Sequence, residues 1–338
     1  MSLRFQAWTP ADAPRIAALL AEPQSAGLSV ARVFSCDLWR FMAVFAEGAG
    51  GVLALAGDTL VGVLLIERRP VQWNGVVRKG VLVDTLSVHP RWRRQGVATR
   101  LQVAALQVYA DSVRDAIVHG VFQVDNQASL DMVRPNLGWV SEPLDAVLLR
   151  PAPRPPSAPG IEARLARDDE RAAFAEGANR YFAEHLLHTP LSEASLQELL
   201  HCSIDDQGSH DVVVVTEGGR VVGGARVLVT APLEQHRVVG QAPADRLRWW
   251  LGGLSHWDGG MRTVRVRGLW FAPGHAQAAG VLLDHIRHRW GRLGGLALGA
   301  DPREPAHAVV MARPRFYGFK LCVKANEPGA AGRPVVRV

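Results

Sequence analysis

Three arginines and two small residues crowd into eight positions: Arg91-Trp92-Arg93-Arg94-Gln95-Gly96-Val97-Ala98. Fixed positive charge beside a glycine, where backbone can approach a ligand closely, is chemistry suited to an anion. Just ahead, residues 81–88 read VLVDTLSV, an apolar, β-branched run of strand type. His89-Pro90 ends the strand, because proline lacks a ladder donor and fixes its own φ. A helical pattern opens behind Ala98 and continues to about residue 112. The first N–H groups of a helix have no internal partner, and the helix dipole favours negative charge there. The spacing is neither the G-x-x-x-x-G-K-[ST] of a P-loop nor the G-x-G-x-x-G of a dinucleotide site.

Carboxylates come next. Asp84 lies on the same strand, and strict alternation would set it on one face with Leu86 and Val88. A carboxylate on so apolar a strand is costly unless partnered or used, so Asp84 is either a general base or a buried, hydrogen-bonded structural acid. Glu67, ending the neighbouring strand, is a second candidate base. Asp125-Asn126 stands where another helix begins, and Asn126 has at least the role of an N-cap. Histidine pairs at 285/288 and 185/188 lack an H-E-x-x-H pattern and a third ligand, so they are expected to be solvated or capping, with no metal bound. No G-x-S-x-G elbow or Cys/His nucleophile pair occurs.

The elements that must position these groups can be read along the chain. Residues 4–8 form a short strand, and Thr9-Pro10 starts a helix with a hydroxyl cap and a proline at its first position. A second helical stretch covers residues 35–47. GVLALA and TLVGVLLIER make a hairpin about Gly57-Asp58. The strand at 81–88, the basic turn and its helix follow. Then come a strand at 116–122, a helix from Asn126 that must end near Arg134-Pro135, and a strand at 146–149. Residues 150–160, RPAPRPPSAPG, can form neither a regular helix nor a central strand and should be an extended, semi-rigid linker.

Beyond the linker the order repeats. A strand at 161–165, helices near 168–184 and 192–202, and a hairpin about Gly218-Gly219 precede an irregular insert at 231–260 that carries Trp249-Trp250. TVRVRGLWFAPG is the counterpart of the central strand and also ends in proline; a helix at 275–290 and a strand at 295–299 follow. Met132-Val133-Arg134-Pro135 is echoed by Met311-Ala312-Arg313-Pro314, and an internal duplication is the best reading. The division expected is residues 1–150, linker 151–160 and residues 161–338.

Arg93-x-x-Gly96-x-Ala98, after a strand and before a helix, resembles the [RQ]-x-x-G-x-[GA] acetyl-CoA signature of GNAT-type N-acetyltransferases, and the element order of the first half is similar to that family throughout. The whole chain resembles tandem GNAT proteins such as the two-domain mycothiol synthases. The resemblance implies an α/β protein of two GNAT-type domains in tandem, each a mixed, mostly antiparallel central sheet flanked by helices. It implies an N-acyltransferase in which an amine attacks the thioester of acetyl-CoA, or another acyl-CoA, directly in the first domain; the rival is a catalytically silent acyl-CoA-binding or sensing protein. Leu86, Ser87 and Val88 would lend backbone to the pantetheine arm. Arg93, Arg94, Gln95, Gly96, Val97, Ala98 and Thr99 would wrap the pyrophosphate, Asn126 would touch the arm, and Asp84 would be the catalytic base. The family's usual tyrosine, which protonates the leaving thiolate, falls at Val133, so that proton must come from elsewhere. In the second domain Gln277-x-x-Gly280 fits the signature only with an insertion, Leu282 replaces a small residue, and the arginines are missing, so that cofactor site is expected to be degenerate.

Bulk properties bound the rest. The 338 residues suffice for two domains. The net charge of +6 is dispersed and lacks aromatic–basic interleaving, which argues against nucleic acid as the main partner and suits an anionic cosubstrate. Three scattered cysteines argue for a reducing cytosol. No signal peptide or membrane-length apolar run is apparent, so a cytoplasmic protein is expected. The acceptor is a small-molecule or peptide amine that the sequence does not specify, and a homodimer is possible. Loops at 21–35 and 68–80 and the insert at 231–260 are expected to shape its cleft.

Overall fold

The computed structural model describes residues 2–22, 29–46, 48–239, 242–251, 253, 255 and 259–336. Glu47 and parts of the 21–35 loop and the 231–260 insert lie outside them. The first half contains β1 (Leu3–Ala7), α1 (Ala13–Leu20), β2 (Ser29–Phe34), α2 (Leu38–Phe45), β3 (Gly50–Ala56), β4 (Thr59–Trp73), β5 (Val76–Val88), α3 (Val97–Val108), α4 (Ala110–Val113), β6 (Ile117–Gln123), α5 (Gln127–Val133), β7 (Trp139–Val140) and β8 (Leu144–Leu149). The second contains β9 (Ile161–Leu165), α6 (Arg171–Tyr181), α7 (Glu193–Leu200), β10 (Ser209–Glu217), β11 (Arg220–Val229), β12 (Glu234–Val239), α8 (Pro243–Leu251), β13 (Gly260–Met261), β14 (Thr263–Phe271), α9 (Ala276–Trp290), β15 (Gly295–Ala300), α10 (Pro305–Met311) and β16 (Arg315–Ala325).

Local chemistry explains the element ends. Before α1 the Asp12 carboxylate accepts from the Thr9 N–H at 2.7 Å and the Thr9 hydroxyl at 2.9 Å, and α1 buries Ala13, Ile16, Leu19 and Leu20 on one face. Asp37 caps α2 by accepting from the Arg40 N–H at 2.9 Å. Residues 68–80 are not a loop: β4 and β5 run on as one long hairpin to Asn74-Gly75, whose positive φ values of 53° and 85° suit a two-residue turn that follows strand twist.

One sheet joins the halves. Its order is β1-β3-β4-β5-β6-β16-β8-β15-β14-β11-β10-β9, with β7 beside β16. The last strand of each half is exchanged: β16 pairs antiparallel with β6, β8 pairs antiparallel with β15, and β16 and β8 pair with each other at the centre. The covalent division at 151–160 is therefore not a division of the sheet. The linker is pinned to α9, with the Arg287 side chain donating to the Arg150 carbonyl at 2.7 Å and the Ala152 N–H to the Arg287 carbonyl at 3.2 Å.

A second, small sheet also draws on both halves. β12 lies between β2 and β13, with Arg32 opposite His236. The insert at 231–260, expected to be irregular, thus supplies two strands and a helix, and the 21–35 loop supplies a strand. Both change character because each finds its ladder partner roughly 200 residues away, out of reach of local pattern.

Candidate functional site

The basic turn has the backbone of an anion cradle. Arg94 and Gly96 both adopt left-handed φ, 60° and 73°, and Gly96 leads straight into α3. Alternating hand in successive residues turns neighbouring N–H groups toward one point. A Cβ on Gly96 would meet nothing within 4 Å, so the space over the turn is open. The arginines divide their labour. Arg93 Nε donates to the Val88 carbonyl at 3.0 Å and ties the turn to β5, while Arg91 and Arg94 are exposed. Gln95 Nε2 braces the turn on the Arg91 carbonyl at 2.9 Å. Val97 is buried, so any ligand contact it makes is through backbone; Ala98 is half-buried and Thr99 exposed.

Behind the turn, β5 and β6 part. Their parallel ladder runs from Gly80–Ile117 to Val83–Gly120 and stops, whereas β5 continues to Val88. Leu86, Ser87 and Val88 lie on this diverging stretch; Leu86 and Val88 are half-buried and Ser87 is buried.

Asp84 sits at a β-bulge, which corrects the expectation from alternation. Leu65 pairs with Thr85 and Ile66 with Val83, so Asp84 is the extra residue of β5. The bulge resets the pleat. Val81, Val83, Leu86 and Val88 pack on the α3 side, while Asp84 and Thr85 present the opposite face. There Thr85 Oγ1 donates to Asp84 Oδ2 at 2.7 Å, Arg32 Nη1 donates to Thr85 Oγ1 at 3.0 Å, and Arg32 Nη1 stands 3.6 Å from Asp84 Oδ2. Asp84 is exposed and hydrogen-bonded, not buried.

Arg32 is held in turn by Glu234, a residue sequence reasoning missed. The Glu234 carboxylate accepts from Arg32 Nε at 2.7 Å and from Arg265 Nη2 at 2.5 Å. Burial opposes its charge, but the two guanidinium groups outweigh burial and hold its carboxyl below the usual carboxylate range. Beside it, burial pushes His236 down to about 4. Glu67 shares the Asp84 face and is buried with Arg69 Nη1 3.9 Å away. Burial first, and then the Asp84 charge, push its carboxyl above the usual range. Arg32, Glu234 and Arg265 come from three distant segments, and nothing in their neighbours in sequence marks them.

Asn126 caps α5, accepting from the Ser129 N–H at 3.2 Å, and its side chain is exposed. Val133, at the tyrosine position, is buried against the α3 face of the sheet. Tyr109 is committed elsewhere, its hydroxyl accepting from the Gly51 N–H at 2.7 Å and donating to the Gly51 carbonyl at 3.1 Å. His185 and His188 are buried rather than solvated, with His188 Nε2 3.0 Å from Asn179 Oδ1. Among the described residues no group of three or more His, Cys, Asp or Glu is placed to hold a metal, and no helix is long and apolar enough to cross a membrane.

The second half differs at each counterpart. Six residues before the strand-ending proline stand Asp84 in the first half and Arg267 in the second. Burial pushes Arg267 down to about 9. The turn after Pro273 is short, α9 starting at Ala276, and His275 Nδ1 lies 2.6 Å from Glu217 Oε2, which sets a carboxylate at that helix N-terminus. Leu282 is not in the turn at all: it lies on the second turn of α9, fully buried in the core. Trp270 and Phe271 are buried where the first half has Ser87 and Val88.

Residues 15–139 match the model of the Acetyltransferase (GNAT) family, so the first half carries a GNAT domain. The fold over the whole chain is similar to a GCN5-related N-acetyltransferase from Sphaerobacter thermophilus (TM-score 0.58, 18% identity, 98% of each chain covered). It is similar too to the Saccharomyces cerevisiae N-myristoyltransferase with bound myristoyl-CoA (TM-score 0.65, 9% identity, 100% of this chain and 90% of that one). No curated protein matches the chain in sequence. The architecture is thus a tandem-GNAT-like fold with one sheet continuous across both halves.

Proposed function

We propose that the protein is an acyl-CoA-dependent N-acyltransferase that works in its first half by direct transfer to an amine. The observation that carries this reading is the parting of β5 from β6 directly behind the Arg94–Gly96 cradle. The cosubstrate supplies an activated thioester carbonyl; the chain supplies position and charge. Backbone N–H groups from Arg94 to Thr99, with the exposed Arg91 and Arg94, suit the pyrophosphate. The unpaired edge of β5 from Leu86 to Val88 suits the pantetheine arm, and a β5 amide near Leu86 suits the developing oxyanion. Asn126 has an amide N–H2 left over from capping with which to meet the arm.

The amine nitrogen forms a bond to the thioester carbon, the carbon–sulfur bond breaks, and CoA leaves as thiolate. The amine proton passes to Asp84, directly or through one water. Thr85 and Arg32 fix the Asp84 carboxylate on the acceptor face. Val133 has no proton to give, so solvent protonates the thiolate. The second half holds no acyl-CoA in this reading: the Glu217 carboxylate opposes an anion at the α9 N-terminus, and the arginines of the first turn have no counterparts there. The GNAT family match over residues 15–139 and the acyltransferase fold support the assignment.

Calorimetric titration of acetyl-CoA and CoA into wild type and Gly96→Glu tests it. One site per chain, lost in the variant, is expected, with thiol release on adding amines. Two sites, one surviving the substitution, would place a working site in the second half. No binding to wild type would refute the reading.

A further inference from the structure

The cleft where the two halves meet is lined by charge of one sign. Arg69 of β4 reaches it from the first half, and Arg226 of β11 and Arg267 of β14 from the second, with His188 and Thr189 beside them. No carboxylate stands among the described residues that line it. Arg226 and Arg267 face each other directly in the β11–β14 ladder, and like charges so placed disfavour a sheet. Arg267 matches Asp84 in backbone as well as in sequence position. Gly268, at φ 61°, sits where the register of β11 and β14 shifts, so Arg267 also borders a bulge. Arg69 and Arg226 have other interactions, whereas the half-buried Arg267 guanidinium makes no hydrogen bond or ion pair among the described residues. Burial first, and then the charges of Arg69, Arg265 and Arg226, push it down to about 9 against the pull of Glu67, so it stays cationic at neutral pH. A cation held at such a cost calls for an anion.

Two magnitudes say which anion, and on what molecule. The space open to water-sized atoms in the cleft is ≈ 30 Å³, about two waters' worth, which suits the two oxygens of a carboxylate and not the four of a phosphate group. A guanidinium fork meets a carboxylate with two parallel N–H···O bonds. The base and the cleft share one face of the sheet, since Glu67 lies on the Asp84 face and Arg69 follows it by alternation. Glu67 is acted on by the Asp84 charge and by the charges of Arg69 and Arg267, so it stands between the two places. Its Oε2 is 3.9 Å from Arg69 Nη1, beyond hydrogen-bond range. The path from Ile66, beside the Asp84 bulge, to Arg69 along β4 is roughly 10 Å at strand rise. Resting on the acyltransferase reading above, we infer that the acceptor carries a carboxylate, that Arg267 holds it, and that the reacting amine lies on the order of 10 Å away at Asp84. The substrate class is amino acids or short peptides whose amine and carboxylate are far apart, and not α-amino acids. Where the first half places its base, the second half places the receptor for the acceptor's far end.

The test compares ω-amino acids from 3-aminopropanoate to 8-aminooctanoate, and triglycine, with alkylamines of matching length. CoA thiol release at saturating acetyl-CoA is followed in wild type, Arg267→Gln and Arg267→Lys. The longest acids should exceed their alkylamines by about tenfold to a hundredfold in kcat/KM, the worth of a charge-assisted contact; triglycine tells a peptide acceptor from a plain chain. Arg267→Gln should erase the difference while leaving alkylamine rates within about twofold, and Arg267→Lys should restore part of it. Removing one of two facing like charges should leave the denaturation midpoint unchanged or raise it, whereas an arginine kept for structure would lower it. Calorimetry with N-acetyl-8-aminooctanoate against N-octylacetamide reads the same contact without turnover. Equal kcat/KM for acids and alkylamines, or a preference that survives Arg267→Gln, overturns the inference and leaves the acyltransferase reading standing. If acetyl-CoA does not bind, that reading falls and the calorimetric pair still decides the site. Binding of the carboxylate that depends on Arg267 upholds it, and equal binding of acid and amide overturns it.

Discussion

Lowering the pH from 7 to 5 should cost this protein much of its stability, for a reason visible in three buried imidazoles. His119 is fully buried, and its ring is pushed down to about 3 by burial and then by the Arg69 charge. His188 is pushed to about 4 by burial, with Arg226 and His185 adding to it, while its Nε2 faces Asn179. His210 is also held at about 4 by burial, against the Val44 carbonyl that its Nε2 meets at 3.1 Å and with Arg226 and Arg267 on the same side. Folded values below the ordinary 6.5 mean that the unfolded chain binds more protons between about pH 6.5 and 4. Stability is therefore complete above 6.5 and falls as pH drops through that window. At pH 5 each ring contributes a loss of about 2 kcal/mol, or about 6 kcal/mol for the three, comparable with the whole stability of many domains. Glu67 runs the other way, because a raised carboxyl favours the folded state as pH falls toward its unfolded value, and it offsets part of the loss. The assay is urea unfolding at half-unit pH steps, followed by tryptophan fluorescence and far-ultraviolet circular dichroism together. His119→Gln should flatten the slope by about 1.4 kcal/mol per pH unit. A midpoint unchanged between pH 7 and 5, or a slope that His119→Gln leaves intact, would refute the burial argument.

Two further outcomes follow from the acceptor face. Asp84→Asn should lower kcat by about 10²–10⁴-fold with acyl-CoA affinity within about twofold, whereas Glu67→Gln should leave kcat within about fivefold; the reverse pattern would make Glu67 the base. Glu234→Gln leaves the half-buried Arg32 and Arg265 beside a neutral amide, and since both retain some access to water the cost should fall below the about 3–5 kcal/mol of a fully buried broken pair, at about 1–3 kcal/mol; a denaturation midpoint unmoved by the change would show that the cluster is not structural.

What was legible in the sequence was what local chemistry decides. The turn at 91–98 announces itself because positive φ demands glycine, charge demands arginine, and both fall between a strand and a helix within ten residues. The hairpins at Gly57-Asp58 and Gly218-Gly219 and the Asn126 cap are legible for the same reason, whereas the extension of β4 and β5 to Asn74-Gly75 was hidden by the charged and polar residues within 68–80. Alternation failed at Asp84, since a bulge is set by how two strands meet and not by either alone. It put Asp84 on the wrong face and hid its partner Thr85. Arg32 and Glu234 were invisible because each acquires meaning only from the other, 202 positions away. In the second half, counting from the motif puts Leu282 in the turn, but the helix there starts early and carries it into the core, and the Glu217 carboxylate is the feature that distinguishes the turn.

The exchange of β8 and β16 ties the first half's sheet to the second half. Residues 1–150 alone would leave β6 an open edge where β16 should pair, and β8 would lose the β15 ladder on its other side; unpaired edges of this kind invite misassembly. The same sharing recurs on the acceptor face, where β2 of the first half pairs with β12 of the second and brings Arg32 to Glu234. Asp84 is thus oriented by an arginine that is itself fixed by the second half. The second half therefore contributes to the first half's face whatever its own turn binds. Its β16 pairs the stretch of β6 that has left β5, and its Glu234 anchors the guanidinium that faces the proposed base.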